Sequence, residues 1–287
     1  MKNTHVYRVF LSILFFLSVT IGFQTYAQAQ GGRIIVANDD WTLSDTGFTP
    51  PNDPGTFAQN VASWFTGGNP GKFLVFSDHF GLTGTMLADA MTAAGHTWIV
   101  DTSVPFNLCT LTSYDGVFLG VTPADNNVLI DYVNVGGNVY VFGGGSTEPA
   151  KWNTFLQYFG LQFGNVINGL IGNIPINSSY PLFAGVDYLY HVNGTPVIDL
   201  APTDPKNQVL VTYQGEGLFA IYDGAGPAPG VGGSVAGVRP MKVSCKNVTT
   251  GQMVIIRGNA RSWDCEAAGL VVNSGDRIQQ TITGTAD

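Results

Sequence analysis

The chain has 287 residues, 45% of them apolar and only 11% charged, with 37 glycines, so a core of ordinary size is affordable. The formal charge of −8 speaks against nucleic acid and anionic membrane surfaces as partners. Glycine-rich, charge-poor composition suits an exported protein built on strands and turns.

The first residues, MKNTHVYRVFLSILFFLSVTIGFQTYAQAQ, place Lys2 and Arg8 ahead of an apolar run from Val9 to Phe23 and then Ala27-Gln28-Ala29, which fits a signal-peptidase site. The run is shorter than the roughly 20 residues a spanning helix needs. Residues 1–29 therefore read as an export signal, and the mature chain as secreted or periplasmic with no transmembrane segment. Losing Lys2 and Arg8 takes the charge from −8 to −10. Three cysteines then meet an oxidising compartment. Cys245 and Cys265, both in a short strand-rich tail, are the expected disulfide, and the leftover Cys109 reads as a small buried apolar residue.

From Arg33 onward strand-like and helix-like runs alternate. RIIVAND reads as a strand, DPGTFAQNVASWFTG as a helix capped by Asp53 with Pro54 in its first turn, and KFLVFSD as a strand. LTGTMLADAMTAAG reads as one helix ending at Gly95, followed by the strands HTWIVD and YDGVFLG. ADNNVLIDYVNVGG is a helix stopped by Gly136 and Gly137, NVYVFGG a strand, and EPAKWNTFLQYFG a helix with Pro149 near its start. Continuous apolar strands spaced by amphipathic helices call for a mainly parallel sheet covered on both faces, an α/β fold of the flavodoxin-like three-layer kind.

Beyond Gly160 the regularity fades. PLFAGVDYLYHVNG, QVLVTYQGE and GLFAIYD suggest further strands, the last two paired around Gln214 to Gly217. Residues 224–233, GAGPAPGVGG, have the composition of a linker. Residues 234–287 are rich in Val, Ile and Thr and read as a small all-β module. Residues 31–223 carry 4 basic and 16 acidic side chains, whereas 234–287 carry 6 basic and 4 acidic, which favours two domains.

Ligands of open parallel sheets bind outside the carboxyl ends of the strands, where loops converge and helix N-termini point inward. That rule selects Asp39, Asp40 and Trp41 after the first strand, Asp78 and His79 after the second, and Ser146 and Glu148 after the glycines Gly143 to Gly145. Trp41, at a loop start, could stack on a sugar ring. His79 beside an aspartate could be tuned as a general base. Asp39, Asp40, Asp78, Glu148 and His79 would suit a hard cation, but their spacing forms no recognised metal loop, so no metal or other cofactor is expected.

The segments YDGVFLG, LIDYVNVGGNVYVFGGG and YPLFAGVD resemble the class I glutamine amidotransferase-like superfamily, in its trehalose-utilisation-type and exported branches, over residues 33–223. The resemblance implies a cysteine nucleophile at the turn after the strand NVYVFGG and a His-x-Glu pair later. Here that turn holds Gly144, Gly145 and Ser146, and the only later histidine, His191, is followed two residues on by Asn193. Ser146 in GGSTE has half of a nucleophile elbow, with Glu148 where the second glycine belongs, and equally makes a helix cap. The expected function is therefore a non-catalytic domain binding a small molecule, glycan or protein. A secreted serine hydrolase using Ser146 and His79, or an envelope component attached through the tail, stand as alternatives.

Overall fold

The computed structural model describes residues 31–145, 148–225, 232–234, 238–257, 262–265, 269–271 and 278–286. The expected export signal, Ser146, Thr147 and most of the expected linker lie outside the described residues.

Five strands run parallel: β1 (Arg33–Ala37), β2 (Lys72–Phe76), β3 (Thr97–Val100), β4 (Gly116–Leu119) and β5 (Val139–Phe142). The connecting helices are α1 (Pro54–Thr66), α2 (Phe80–Thr83), α3 (Thr85–Ala93), α4 (Leu108–Leu111) and α5 (Asn126–Asn134), with α6 (Glu148–Tyr158) after β5. Four short strands follow, β6 (Leu161–Phe163), β7 (Ile171–Pro175), β8 (Tyr188–Val192) and β9 (Val197–Asp199). The long hairpin β10 (Asn207–Tyr213) and β11 (Glu216–Asp223) comes next. That hairpin joins the main sheet, giving seven strands in the order β10-β11-β1-β5-β4-β2-β3, with β11 antiparallel to β1. β6 pairs with β9 and β7 with β8 in two small antiparallel sheets.

Strand residues alternate between two cores, as the period of two demands. Ile35 and Ala37 of β1 join Phe57, Val61 and Phe65 of α1 and Leu87 and Met91 of α3 on one face. Ile34 and Val36 join Leu111 of α4, Leu129 and Val133 of α5 and Trp152 and Phe155 of α6 on the other. This two-sided burial is why the parallel strands read as continuous apolar runs.

Three local readings change. The expected helix over LTGTMLADAMTAAG breaks into α2 and α3 at Gly84, whose ψ is 147°. Asp45 fills that break: its Oδ1 accepts from Met86 N at 3.0 Å, capping α3 from another loop. Asp53 does stand at the N-cap of α1, but its side chain makes no capping bond. Its Oδ2 accepts instead from Asp187 N at 2.9 Å and Tyr188 N at 3.3 Å, tying α1 to β8. Cys109 is exposed, not buried, because the single inward position of the short α4 is Leu111, and two residues earlier the helix faces the other way.

Among the described residues of the tail are five antiparallel strands: β12 (Gly232–Ser234), β13 (Val238–Asn247), β14 (Met253–Arg257), β15 (Ser262–Asp264) and β16 (Ile278–Ala286). β13 is central between β14 and β16, and β12 pairs with β15. The expected Cys245–Cys265 disulfide is formed, with both sulfur-bearing residues buried beside Val243 and Leu270. So small an apolar cluster leaves the bridge as a principal restraint. Closing a loop across a separation of 20 residues contributes about 3 kcal/mol by chain entropy. Replacing both cysteines by alanine should therefore speed proteolytic cutting beyond Asp223 at least tenfold, and unchanged resistance would show that the bridge is dispensable.

Candidate functional site

The site follows from where the chain leaves the sheet. β1 and β5 are neighbours, yet β1 continues to α1 on one face and β5 to α6 on the other. β2 and β4 part in the same way toward α3 and α5. Divergences of this kind are where a crevice is expected, beyond the carboxyl ends of the strands.

Between β1 and β5 stands Asp40. Its carboxylate lies against Gly144, where an added Cβ would come within 2.5 Å of the Asp40 Cγ. The close approach requires glycine in the β5 turn. The Asp40 Oδ2 is 3.4 Å from His79 Nε2, with both side chains largely shielded from solvent. His79 itself is the N-cap of α2, where its Nδ1 accepts from Gly81 N at 3.2 Å. Its own N–H donates to the buried Ser77 Oγ at 3.1 Å. The imidazole packs on Phe80 at 4.2 Å and Phe142 at 5.4 Å between ring centroids.

Between β2 and β4, Thr122 donates to Asp78 Oδ1 at 2.7 Å and accepts from Asp78 N at 3.2 Å. The Thr122 hydroxyl, then the Asp78 backbone N–H, hold this exposed carboxyl below the usual aspartate range. Trp41 forms an aromatic rim with Phe80 and Tyr190, at 4.7 Å and 6.4 Å between centroids. Beside the rim, Ser44, Asp45, Thr46, Phe80 and Thr83 enclose a cleft of about 310 Å³.

Asp39 plays a different part from its neighbour. It is 1% exposed, and its carboxyl accepts from Trp41 N at 2.8 Å and Val192 N at 2.7 Å. Burial, reinforced by the charge of Asp40, pushes its pKa up to about 7 against the pull of the Trp41, Val192 and Gly194 N–H groups. His191, next to Val192, is also buried, and burial lowers its pKa to about 4. The segment these residues anchor, 193–195, locks the crevice from behind. Thr195 N donates to Asn38 O at 2.7 Å and Thr195 Oγ1 to Gly145 O at 3.1 Å.

The strand ends thus bring together Asp40, Trp41 and His79 with the Gly144 turn, set Asp78 on the adjoining rim, and turn Asp39 inward. Glu148 begins α6, and Ser146 lies outside the described residues. Among the described residues, no group of three or more His, Cys, Asp or Glu side chains is arranged to hold a metal ion. No helix among them is long and apolar enough to cross a membrane.

No family model, characterised protein or solved structure matches the chain.

Thr122 was missed in the sequence although the strand-end rule reaches it, since it follows YDGVFLG. Phe80, two residues beyond KFLVFSD, is reached by the same rule, whereas Tyr190 carried no such signal. Tyr190 arrives from β8, far along the chain.

Proposed function

We propose that the protein is an exported one whose amidotransferase-like α/β domain, residues 31–223, binds a small polar molecule or glycan in the β1/β5 crevice without catalysing a reaction. The observation that carries this reading is the engagement of His79. Its Nδ1 lone pair takes the Gly81 N–H, so the ring hydrogen is on Nε2, directed at Asp40. In that tautomer the imidazole is a donor that fixes the crevice wall rather than a general base. The Asp40 carboxylate and the aromatic rim of Trp41 and Phe80 supply the hydrogen-bonding and stacking groups that a sugar ring requires. A flavodoxin-like assignment is supported by strand order: counted from β2, the parallel strands follow 2-1-3-4, with β1 in the fifth place. Export is supported by the disulfide.

A glycan array probed with the mature chain should return binders that weaken roughly tenfold or more in both Trp41→Ala and Asp40→Ala, with melting temperatures close to the parent's. If no binder depends on those two residues, the reading fails. A fluorophosphonate should leave the protein unlabelled. Labelling that disappears in Ser146→Ala would establish a serine hydrolase instead.

A further inference from the structure

At the opposite rim of the sheet, where β1 begins, lies a second cleft of about 510 Å³, within the range of small-ligand sites. The C-terminal turns of α5 and α6 form one wall, through Asn134, Gln157 and Tyr158, and the entry to β10 forms the other. Tyr158 is 60% exposed, so its ring face is open to a ligand in the cleft. It is nevertheless held in place: Asn134 Nδ2 donates to its hydroxyl at 3.4 Å. Its ring meets Phe159 at 4.9 Å, and Phe159 meets Tyr222 at 4.8 Å. Two phenols therefore edge the cleft, with Phe159 packed between them.

The polar groups are as telling as the rings. Asn207 lines the cleft at 6% exposure. Its Nδ2 donates to Phe159 O at 2.9 Å, while its Oδ1 is buried with no partner. The Asn207 amide thereby fastens the floor of the cleft to Phe159. Asp204 and Lys206 stand on the same wall, and their opposite charges favour neither an anion nor a cation. Aromatic faces, planar amides, one carboxylate and one ammonium, balanced in charge, suit a molecule whose hydroxyls both donate and accept and whose ring presents an apolar C–H face.

We propose that this cleft binds a neutral saccharide, stacked on Tyr158 and hydrogen-bonded by Asn134, Asp204 and Lys206. The site is independent of the β1/β5 crevice, which lies a strand's length away, roughly 16 Å.

The test is titration of the mature full-length chain with cellobiose, maltose and N,N′-diacetylchitobiose, followed by saturation-transfer NMR and calorimetry. At least one should bind with millimolar affinity. Binding should weaken about tenfold in Tyr158→Ala and in Lys206→Ala, both exposed positions whose replacement leaves the core intact, and should be unchanged in Asp40→Ala. Absence of binding by all three sugars overturns the proposal, as does binding unaffected by Tyr158→Ala. Loss in Asp40→Ala alone would assign the sugar to the other crevice and likewise overturn this one.

Discussion

Across pH 4 to 6.5 the unfolding free energy of the parent chain should stay nearly level, while Asp39→Asn makes it rise with pH and His191→Phe makes it fall. The two groups titrate in opposite senses within one window. The Asp39 carboxyl is raised from 3.8 to about 7, burial being the leading cause. Between those values the unfolded chain releases a proton that the folded chain keeps. Its contribution is fully present below 3.8 and is lost as pH rises toward 7. His191 is lowered from 6.5 to about 4 by burial. The folded chain keeps it neutral while the unfolded chain takes up a proton, so its contribution is complete above 6.5 and is lost as pH falls toward 4.

With about 1.4 kcal/mol per pH unit, each alone would move stability by about 3.5 to 4.5 kcal/mol across its window, and the slopes cancel where the windows overlap. Urea denaturation of the parent and both variants at several pH values measures this directly. A parent profile that rises with pH and is unchanged in Asp39→Asn would mean that the Trp41, Val192 and Gly194 N–H groups keep Asp39 ionised despite its burial, and level profiles in all three would mean that neither group is shifted.

The parallel half of the sheet was legible because each strand is buried on both faces, so KFLVF, GVFL and VYVF are uninterrupted apolar runs. The β10-β11 hairpin was legible too, at a turn where Gln214 and Gly215 both take positive φ, 52° and 87°, as a type I′ turn requires. Its place in the main sheet was not legible. Nothing local in QVLVTY or GLFAIYD specifies that β11 pairs with β1, a choice made by burial against α1 and β9. The three-residue strands β6 and β9 are too short to show a period.

In the site, strand boundaries were enough to find Asp40, Trp41 and His79, which need only lie just beyond a strand end. They could not separate Asp39 from Asp40. Adjacent residues leaving a strand point to opposite sides, and which side is open depends on where residues 191–195 settle. That segment follows β8, and the reading of YLYHVNG as a strand says nothing of its partner. Thr122 shows the complementary failure: the rule covered it, but its role exists only through Asp78 on the neighbouring strand.

Gly194→Ala should therefore be strongly damaging near the crevice, and Gly145→Ala, on the same turn contact, nearly silent. An added Cβ at Gly194 would sit 2.3 Å from the Asn38 carbonyl oxygen and 2.4 Å from Asn38 Nδ2, whereas at Gly145 nothing lies within 4 Å. The obstacle at Gly194 includes backbone of β1's end, which cannot swing aside as a side-chain tip can. Relief requires residues 193–195 to lift away, and with them the Thr195 bonds to Asn38 and Gly145 and the Val192 bond to Asp39. Overpacking of this kind costs about 3 kcal/mol, or roughly 6–12 °C in melting temperature for a domain of this size. Gly145→Ala should stay within about 0.5 kcal/mol. Because Asp39 precedes Asp40, the displaced segment should also disturb the Asp40–His79 pair, so Gly194→Ala should lose crevice binding that Gly145→Ala retains. Equal melting temperatures for the two variants would mean that segment 193–195 is not fastened to the strand ends, and the rigid crevice argued from it would not exist.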